Sequence, residues 1–300
     1  MSKDCEMLSK INREDWVKIS PKINPTKLES EDILGVPAFE INEIFIPLCK
    51  RILSGPILEE NFGNENKYPY IIGVTGSVAV GKTTFARVLK EILRNPPYNF
   101  VTEVVSTDNF LFSNETLNKN QALHRKGFPE SFNYPAIINF LQIAKNYASV
   151  EIPIYSHQTY DITDQTQTIP PTQILIIEGI NILQHPPHIV SDSQQEIIRD
   201  YLDFSIYLDA EEETIKQWYT SRFLKYCEKA SSSDESFFAQ FKNLTQNQAT
   251  ELAANIWETI NSPNLHNHIG PSIEFANLIL SKEKDHSINY LQALPEWFSR

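Results

Sequence analysis

The sequence predicts an α/β fold in which a mostly parallel central sheet carries helices on both faces. The first observation is a strand–loop–helix unit. The apolar run 70–75 leads into a glycine-containing loop, and apolar residues then recur at helical spacing over 85–93. The second observation is that four further apolar runs alternate with helical patterns along the chain. Such alternation favours a mostly parallel sheet covered on both faces.

The later elements follow in chain order. Strands are predicted over 100–107, 173–177, 204–208 and 278–280, and helices over 136–147, 211–229 and 248–260. Three of the strands lead directly into an acidic residue, namely Asp108, Glu178 and Asp209. Ligands of such sheets bind beyond the carboxyl ends of the strands. The sequence therefore predicts a gathering of carboxylates at that edge.

The chain is interpreted as a single domain covering residues 1–300. Hydrophobic residues make up 41% of its 300 positions, which is enough for a sizeable core. Residues 1–66 are predicted to form a largely helical N-terminal extension. Residues 67–300 are predicted to hold the nucleotide- and substrate-binding core.

Composition excludes several classes of partner. The net charge of −12 argues against nucleic acid, because phosphate backbones are held by clusters of Lys and Arg. No apolar run approaches the roughly 20 residues that span a bilayer, so no membrane partner is expected. The charged N-terminus lacks the apolar segment of a signal peptide, which predicts a cytoplasmic location.

The segment Gly-Ser-Val-Ala-Val-Gly-Lys-Thr at 76–83 matches the pattern G-x-x-x-x-G-K-[ST] in full. Glycines let the backbone wrap closely around phosphate oxygens, and the N–H groups of the loop and of the following helix attract negative charge. Lys82 is expected to reach the β- and γ-phosphates of a nucleotide, and the Thr83 hydroxyl to bind Mg²⁺. The loop alone does not separate kinases from GTPases, motors or regulatory switches.

Other residues narrow the choice among these classes of nucleotide-binding protein. No Asn-Lys-x-Asp segment typical of guanine-specific switches is present, and the acidic balance disfavours helicases and motors. Asp108 follows a run of β-formers, where a carboxylate can accept the proton of an attacking hydroxyl; a turn cap is the alternative interpretation. Glu178 ends an apolar strand, as a magnesium-organising carboxylate does in enzymes with this loop, although a surface glutamate also fits.

Two further features are ambiguous from the residues alone. Arg222 lies in a helical pattern and has the chemistry to stabilise a transferred phosphoryl group, but its spacing also fits a solvated helix charge. The segment 154–161 is rich in hydrogen-bonding aromatics. It suits a polar small-molecule pocket and the edge of a sheet equally well.

Taken together, these motifs resemble the bacterial type I pantothenate kinase family. The resemblance rests on the loop with its following threonine (76–84), on Lys-Gly-Phe-Pro-Glu-Ser at 126–131 and on Tyr-Ser-His at 155–157. It also rests on the strings at 178–184, 203–210 and 222–225, and it extends from about residue 12 to residue 281. The family has a P-loop kinase fold, so the resemblance implies that fold here.

The resemblance implies that ATP phosphorylates the primary hydroxyl of pantothenate, the first step of coenzyme A biosynthesis, with Mg²⁺ as cofactor. It implies three catalytic residues, Asp108, Lys82 and Arg222, and two metal-binding residues, Thr83 and Glu178. The residues implied to bind ATP are Gly76, Ser77, Val78, Ala79, Val80, Gly81, Lys82, Thr83 and Thr84. Those implied to bind pantothenate are Tyr155, His157, Tyr160, Tyr219 and Asn261.

The family also implies a homodimer and feedback inhibition by coenzyme A in competition with ATP. The matching positions for the inhibitor are Lys82, Arg87, His157 and Tyr226. The chain departs from the family pattern in three places. Asn109 replaces the usual glycine after the catalytic aspartate, Tyr226-Cys227 replaces a Phe-Arg pair, and the segment 271–274 lacks basic residues.

Two alternatives stay open beside the pantothenate kinase interpretation. One is a uridine-kinase-like or phosphoribulokinase-like enzyme, which shares the loop and a strand-end acid. The other is a non-catalytic regulator that binds ATP without needing Asp108.

Overall fold

A computed structural model describes residues 8–20, 32–54, 69–185, 196–230 and 236–299. Residues 1–7, 21–31 and 55–66 of the predicted N-terminal extension lie outside these ranges. Within them, no helix is long and apolar enough to span a bilayer.

In these described ranges, seven strands form one sheet and two form a separate hairpin. In chain order the strands are β1 (Ser9–Asn12), β2 (Tyr70–Gly76), β3 (Thr102–Ser106), β4 (Val150–Ser156), β5 (Asp161–Ile169), β6 (Ile174–Glu178), β7 (Phe204–Ala210), β8 (Leu278–Lys282) and β9 (Ile288–Ala293). The sheet order is β1-β9-β8-β7-β2-β6-β3, and the hairpin pairs β4 with β5. Neighbours from β3 to β8 pair in parallel, whereas β9 is antiparallel to both β8 and β1.

Helices connect and cover these strands. They are α1 (Arg13–Ile19), α2 (Ala38–Glu40), α3 (Ile46–Ile52), α4 (Lys82–Arg94), α5 (Asn114–Lys119), α6 (Tyr134–Lys145), α7 (Glu212–Ala230), α8 (Gln246–Ile256), α9 (Ser262–Asn264) and α10 (Pro295–Ser299). A π-helical turn, Ile41–Phe45, joins α2 to α3, and a second, Trp257–Asn261, joins α8 to α9.

The core lies on both faces of the sheet, because successive side chains of a strand point to opposite sides. Ile72 and Val74 of β2 pack into a cluster with residues of α3 and α4, whereas Ile71 packs into a second cluster with residues of α6. The same alternation divides Ile174 and Ile176 of β6 from Leu175 and Ile177. The predicted α/β architecture, a mostly parallel sheet with helices on both faces, is confirmed.

Four strands were not predicted, namely β1, β4, β5 and β9. Strand β1 lies in the segment predicted to be largely helical and forms an edge of the main sheet against β9. The hairpin of β4 and β5 was not predicted, because its second strand, Asp-Ile-Thr-Asp-Gln-Thr-Gln-Thr-Ile, is mostly polar and only its last residue is buried. A strand made mostly of polar residues has no apolar run by which a sequence pattern would identify it.

The N-terminal segment packs on the end of the chain. The indole of Trp16 in α1 stacks on that of Trp297 in α10, with ring centroids 5.7 Å apart. Arg51 of α3 lies over both indoles and donates to the carbonyl oxygens of Trp297 and Phe298, each at 3.0 Å. The two ends of the described chain therefore close one side of the sheet together.

Candidate active site

The phosphate loop, residues 76–83, turns from the carboxyl end of β2 into the start of α4. Gly76 and Gly81 have φ angles of 137° and 96°, in the region that favours glycine. A Cβ at Gly76 would lie 2.3 Å from the carbonyl oxygen of Leu208, so a side chain does not fit. Ala79 also takes a positive φ, of 60°. The loop thus folds as a tight backbone cradle beside a helix N-terminus, a geometry suited to phosphate.

Lys82 lies over this cradle. Its ammonium donates to the carbonyl oxygen of Ser77 at 2.8 Å, which folds the side chain back along the loop. Burial lowers the pKa of Lys82 to about 8, while the negative charges of Glu178 and Asp108 act in the opposite direction. The lysine therefore lies along the loop, near enough to both carboxylates for their charges to act on it.

Thr83 and Glu178 meet at the neighbouring strand end. The Thr83 hydroxyl donates to Glu178 Oε1 at 2.9 Å, and Glu178 is only 3% exposed. Burial raises the pKa of Glu178, and the positive charge of Lys82 counteracts the shift. One hydroxyl and one carboxylate form an oxygen-only donor set, which fits Mg²⁺, a hard cation that binds few protein ligands and keeps several waters.

Asp108 lies just beyond the end of β3, in the short helical turn Thr107–Phe110. The Ser106 hydroxyl accepts a hydrogen bond from the Asp108 N–H at 3.3 Å and so fixes the turn. Because β3, β6 and β2 are adjacent and parallel, their carboxyl ends meet at one edge, which brings Asp108 beside Glu178 and Lys82. The negative charge of Asp108 contributes to the pKa shifts of both.

Asp209, the third strand-end acid, does not join this group. Burial raises its pKa, and the nearest charges that act on it are those of Lys10 in β1 and Glu211. The prediction that carboxylates gather at the strand ends is therefore right for two of the three acids. Residue parity explains the difference, since one step along a strand reverses the face on which a side chain lies.

The tip of the β4–β5 hairpin brings three aromatic residues to the same edge. The ring of Tyr155 contacts those of His157 and Tyr160 edge to face, with centroids 5.2 and 6.2 Å apart. Desolvation is the main cause of the shifted pKa values of all three residues, and in each case the charge of Asp108 acts as a further cause. The hairpin tip therefore lies near enough to Asp108 for its charge to act on all three residues.

Tyr219 of α7 and Asn261 of the π-helical turn 257–261 lie close to each other and to Arg222. Burial raises the pKa of Tyr219, and the Asn261 side chain and the charge of Arg222 act in the opposite direction; the charge of Arg222 also acts on Tyr160. The Asn261 Nδ2 atom is buried and has no hydrogen-bond partner among the described residues. An unsatisfied buried donor is costly, and a ligand in this space would supply its acceptor.

The residues matched to feedback inhibition border the same site. Burial raises the pKa of Tyr155, with Tyr226 as a minor contributor. Burial also lowers the pKa of His157, and the charges of Arg222 and Arg87 act in the same direction. Tyr226 stacks on Phe238 with centroids 5.0 Å apart, within a cluster formed by α7, the short helical turn Phe237–Phe241 and α8. Arg87, His157 and Tyr226 thus lie near the residues predicted to bind the acceptor.

Two residues near the site were not assigned a role from the sequence. Lys126 is 8% exposed, and its ammonium donates to Asn114 Oδ1 at 2.6 Å and to the carbonyl oxygen of Tyr160 at 2.5 Å. Asn109 is equally buried, and its Oδ1 accepts the backbone N–H of Tyr155 at 2.9 Å. Both hold the hairpin tip. Two features of the sequence could have indicated these roles. Lys126 is the first residue of the Lys-Gly-Phe-Pro-Glu-Ser string, and Asn109 stands where the family pattern has glycine.

Comparisons with known proteins agree with this architecture. Residues 71–225 match the Phosphoribulokinase / Uridine kinase family. Among solved structures, D-glycerate 3-kinase from Cryptococcus neoformans var. grubii superposes with a TM-score of 0.60 at 15% identity, covering 82% of this chain and 97% of that one. At this identity the likeness shows the fold alone, and it confirms a P-loop kinase fold.

Sequence relatives are much closer. The pantothenate kinase of Mannheimia succiniciproducens is 40% identical, with 92% of each chain covered. That of Streptococcus equi subsp. zooepidemicus is 38% identical over 96% of this chain and 98% of the relative. Both matches cover more than nine tenths of this chain and of the relative. The chain belongs to the pantothenate kinase family.

Proposed function

We propose that the protein transfers the γ-phosphoryl group of ATP to the primary hydroxyl of pantothenate, giving 4′-phosphopantothenate and ADP. The observation that carries the proposal is the arrangement of one phosphate cradle and one carboxylate around a shared space. The loop holds Lys82 and the Thr83–Glu178 pair, Asp108 lies at the end of the strand beside that of Glu178, and the aromatic hairpin lies near Asp108. The names of the full-length relatives supply the substrate.

Asp108 is the proposed base. The hydroxyl oxygen of pantothenate attacks the γ-phosphorus, the bond from that phosphorus to the bridging oxygen of ADP breaks, and the hydroxyl proton passes to the Asp108 carboxylate. Lys82 and Arg222 stabilise the negative charge on the phosphates during transfer. Thr83 and Glu178 would hold Mg²⁺, which neutralises charge on the triphosphate when it is bound.

The acceptor pocket is proposed to be formed by Tyr155, His157, Tyr160, Tyr219 and Asn261. Phenol, imidazole and amide groups match an acceptor that carries hydroxyls, an amide and a carboxylate. The free Asn261 Nδ2 donor fits a ligand oxygen in particular. Removing such a donor is costly for binding, because the ligand group then loses its partner in a desolvated place.

Regulation and location belong to the same proposal. Coenzyme A is proposed to compete with ATP through Lys82, Arg87, His157 and Tyr226, since both ligands carry phosphates that one cationic loop can hold. The protein is further proposed to be a cytoplasmic homodimer in which residues 1–300 form one domain. Sedimentation of the purified protein tests the dimer. Titration of coenzyme A at several ATP concentrations tests the competition.

An acceptor screen tests the central proposal. The purified full-length protein is incubated with radiolabelled ATP, magnesium chloride and one of pantothenate, uridine or ribulose 5-phosphate. We expect label transfer to pantothenate alone. Transfer to uridine or ribulose 5-phosphate instead would favour the alternative enzymes, and ATP binding without transfer to any acceptor would favour a regulator.

A further inference from the structure

We propose that the N-terminal segment of the chain sets the affinity of the phosphate loop for ATP, and that it does so through Lys282. The inferred positioning residues are Arg13 of α1, Glu40 of α2 and Lys282 at the end of β8. The inference deepens the proposed function in that ATP is the ligand of the loop. It does not depend on which acceptor is phosphorylated.

Lys282 holds the phosphate loop directly. Its ammonium donates to the carbonyl oxygen of Val80 at 2.9 Å, and a Cβ placed on Gly81 would lie 3.1 Å from the same nitrogen. The peptide between Val80 and Gly81 is planar and trans, so its C=O and N–H point in opposite directions. Fixing the Val80 oxygen on Lys282 therefore also fixes the direction of the Gly81 N–H, one of the donors of the cradle.

The strand that carries Lys282 is anchored by the N-terminal segment. Lys282 pairs with Ile288 across β8 and β9, next to an irregularity in the register. Both backbone groups of Ile288 are bound by side chains from the N-terminal segment. Its N–H donates to Glu40 Oε1 at 2.8 Å, and its carbonyl oxygen accepts from Arg13 Nη1 at 3.1 Å.

Arg13 and Glu40 form one unit. Arg13 Nη1 lies 2.5 Å from Glu40 Oε2, and the Glu40 side chain is only 5% exposed. Because a buried carboxylate needs its partners, this pair has a defined geometry and transmits it to Ile288. The path from Arg13 and Glu40 through Ile288 and Lys282 to the loop is an unbroken series of hydrogen bonds and one strand pairing.

Electrostatics supports the same path. Burial lowers the pKa of Lys282 to about 8, and the negative charge of Glu40 raises it. A charged ammonium makes a stronger hydrogen bond to the Val80 carbonyl than a neutral amine does. Glu40 thus favours the form of Lys282 that holds the loop most firmly.

ATP binding to the full-length protein tests the proposal. The dissociation constant of ATP in magnesium chloride is measured without pantothenate, for Lys282→Met, Lys282→Arg and Glu40→Gln. We expect Lys282→Met to weaken binding about tenfold, the size of one lost hydrogen bond to a charged group, and Lys282→Arg to retain most of the affinity. The KM for pantothenate stays at its original value.

Lys145→Met is the matched control. Like Lys282, Lys145 donates to a backbone carbonyl oxygen, that of Pro69, and it also forms an ion pair with Asp203 at 2.7 Å; no contact with the loop is found for it among the described residues. We expect this variant to lose thermal stability without losing ATP affinity. Equal losses of ATP affinity in Lys145→Met and Lys282→Met would mean a general structural role and would overturn the proposal.

A double-mutant cycle shows whether Glu40 acts on ATP binding through Lys282 or independently of it. If Glu40 acts through Lys282, Glu40→Gln weakens ATP binding in the original protein and has little further effect once Lys282 is methionine. Additive losses, or unchanged ATP affinity in Lys282→Met, would refute the inference. A protein that binds ATP as expected but phosphorylates another acceptor would refute only the proposed function.

Discussion

The Asn109 Oδ1 atom accepts the backbone N–H of Tyr155 at 2.9 Å, which ties the turn of the proposed base to the hairpin of the proposed acceptor pocket. Members of the family usually have glycine at this position, and glycine has no side chain to make the bond. Asn109 is buried, so the link is shielded from competing water. The departure from the family pattern therefore acts on pocket geometry.

Replacing Asn109 by alanine removes this link and leaves the Tyr155 N–H without its partner. We expect the KM for pantothenate to rise about fivefold or more and the free energy of unfolding to fall by about 1–3 kcal/mol. Steady-state kinetics and thermal denaturation measure the two effects. The exposed Asn118→Ala is the control, and an unchanged KM for pantothenate in Asn109→Ala would show that the link is not needed.

Asp108→Asn tests the base. The amide keeps the size of the carboxylate but does not accept the hydroxyl proton, so turnover is expected to fall at least about a hundredfold with ATP binding nearly intact. Single-turnover assays and ATP titration measure the two quantities. Turnover at the original rate would remove Asp108 from the mechanism.

Glu178→Gln tests the proposed metal site. The neutral amide keeps a hydrogen-bond acceptor for Thr83 but loses the charge that a divalent cation needs. We expect the magnesium concentration for half-maximal activity to rise about tenfold or more. Activity is titrated against magnesium chloride at fixed ATP. An unchanged magnesium requirement would mean that Glu178 has no part in holding the cation.

The pH dependence of ATP use follows from the lowered pKa of Lys82, which burial brings from 10.5 to about 8. Since kcat/KM reports groups of the free enzyme, kcat/KM for ATP is expected to fall as pH rises through about 8 and the ammonium is lost. A flat profile from pH 7 to about 9.5 would contradict the assignment of Lys82 to the phosphates.

The lowered pKa of Lys82 has the opposite effect on folding stability, which it makes rise with pH. Below pH about 8 Lys82 is protonated in both the folded and the unfolded chain. Between about 8 and 10.5 the unfolded chain binds more protons, so the contribution of Lys82 to the free energy of unfolding rises with pH. Denaturation measured across this window therefore separates loss of ATP binding from loss of folding.

Some elements were predictable because burial leaves a pattern in the sequence. The inner strands β2, β6 and β7 are apolar on both faces, and their predicted ranges agree with the observed ones to within two residues. The edge strand β1, Ser-Lys-Ile-Asn, has no apolar run, and β5 is mostly polar. Whether β1 and β5 pair depends on the neighbouring strand in the folded chain, and the local sequence carries no information about that strand.

The sequence by itself determined the phosphate loop, which strands are buried in the sheet, and the strand-end acids Asp108 and Glu178. Each of these features depends on local chemistry or on a repeating period. Only the tertiary structure decided that Asp209 lies apart from them, that Asn109 and Lys126 hold the hairpin, and that Arg13 and Glu40 reach Ile288 across more than 240 positions. The physical reason is that a hydrogen bond or ion pair between distant residues exists only once the sheet has brought their backbones together.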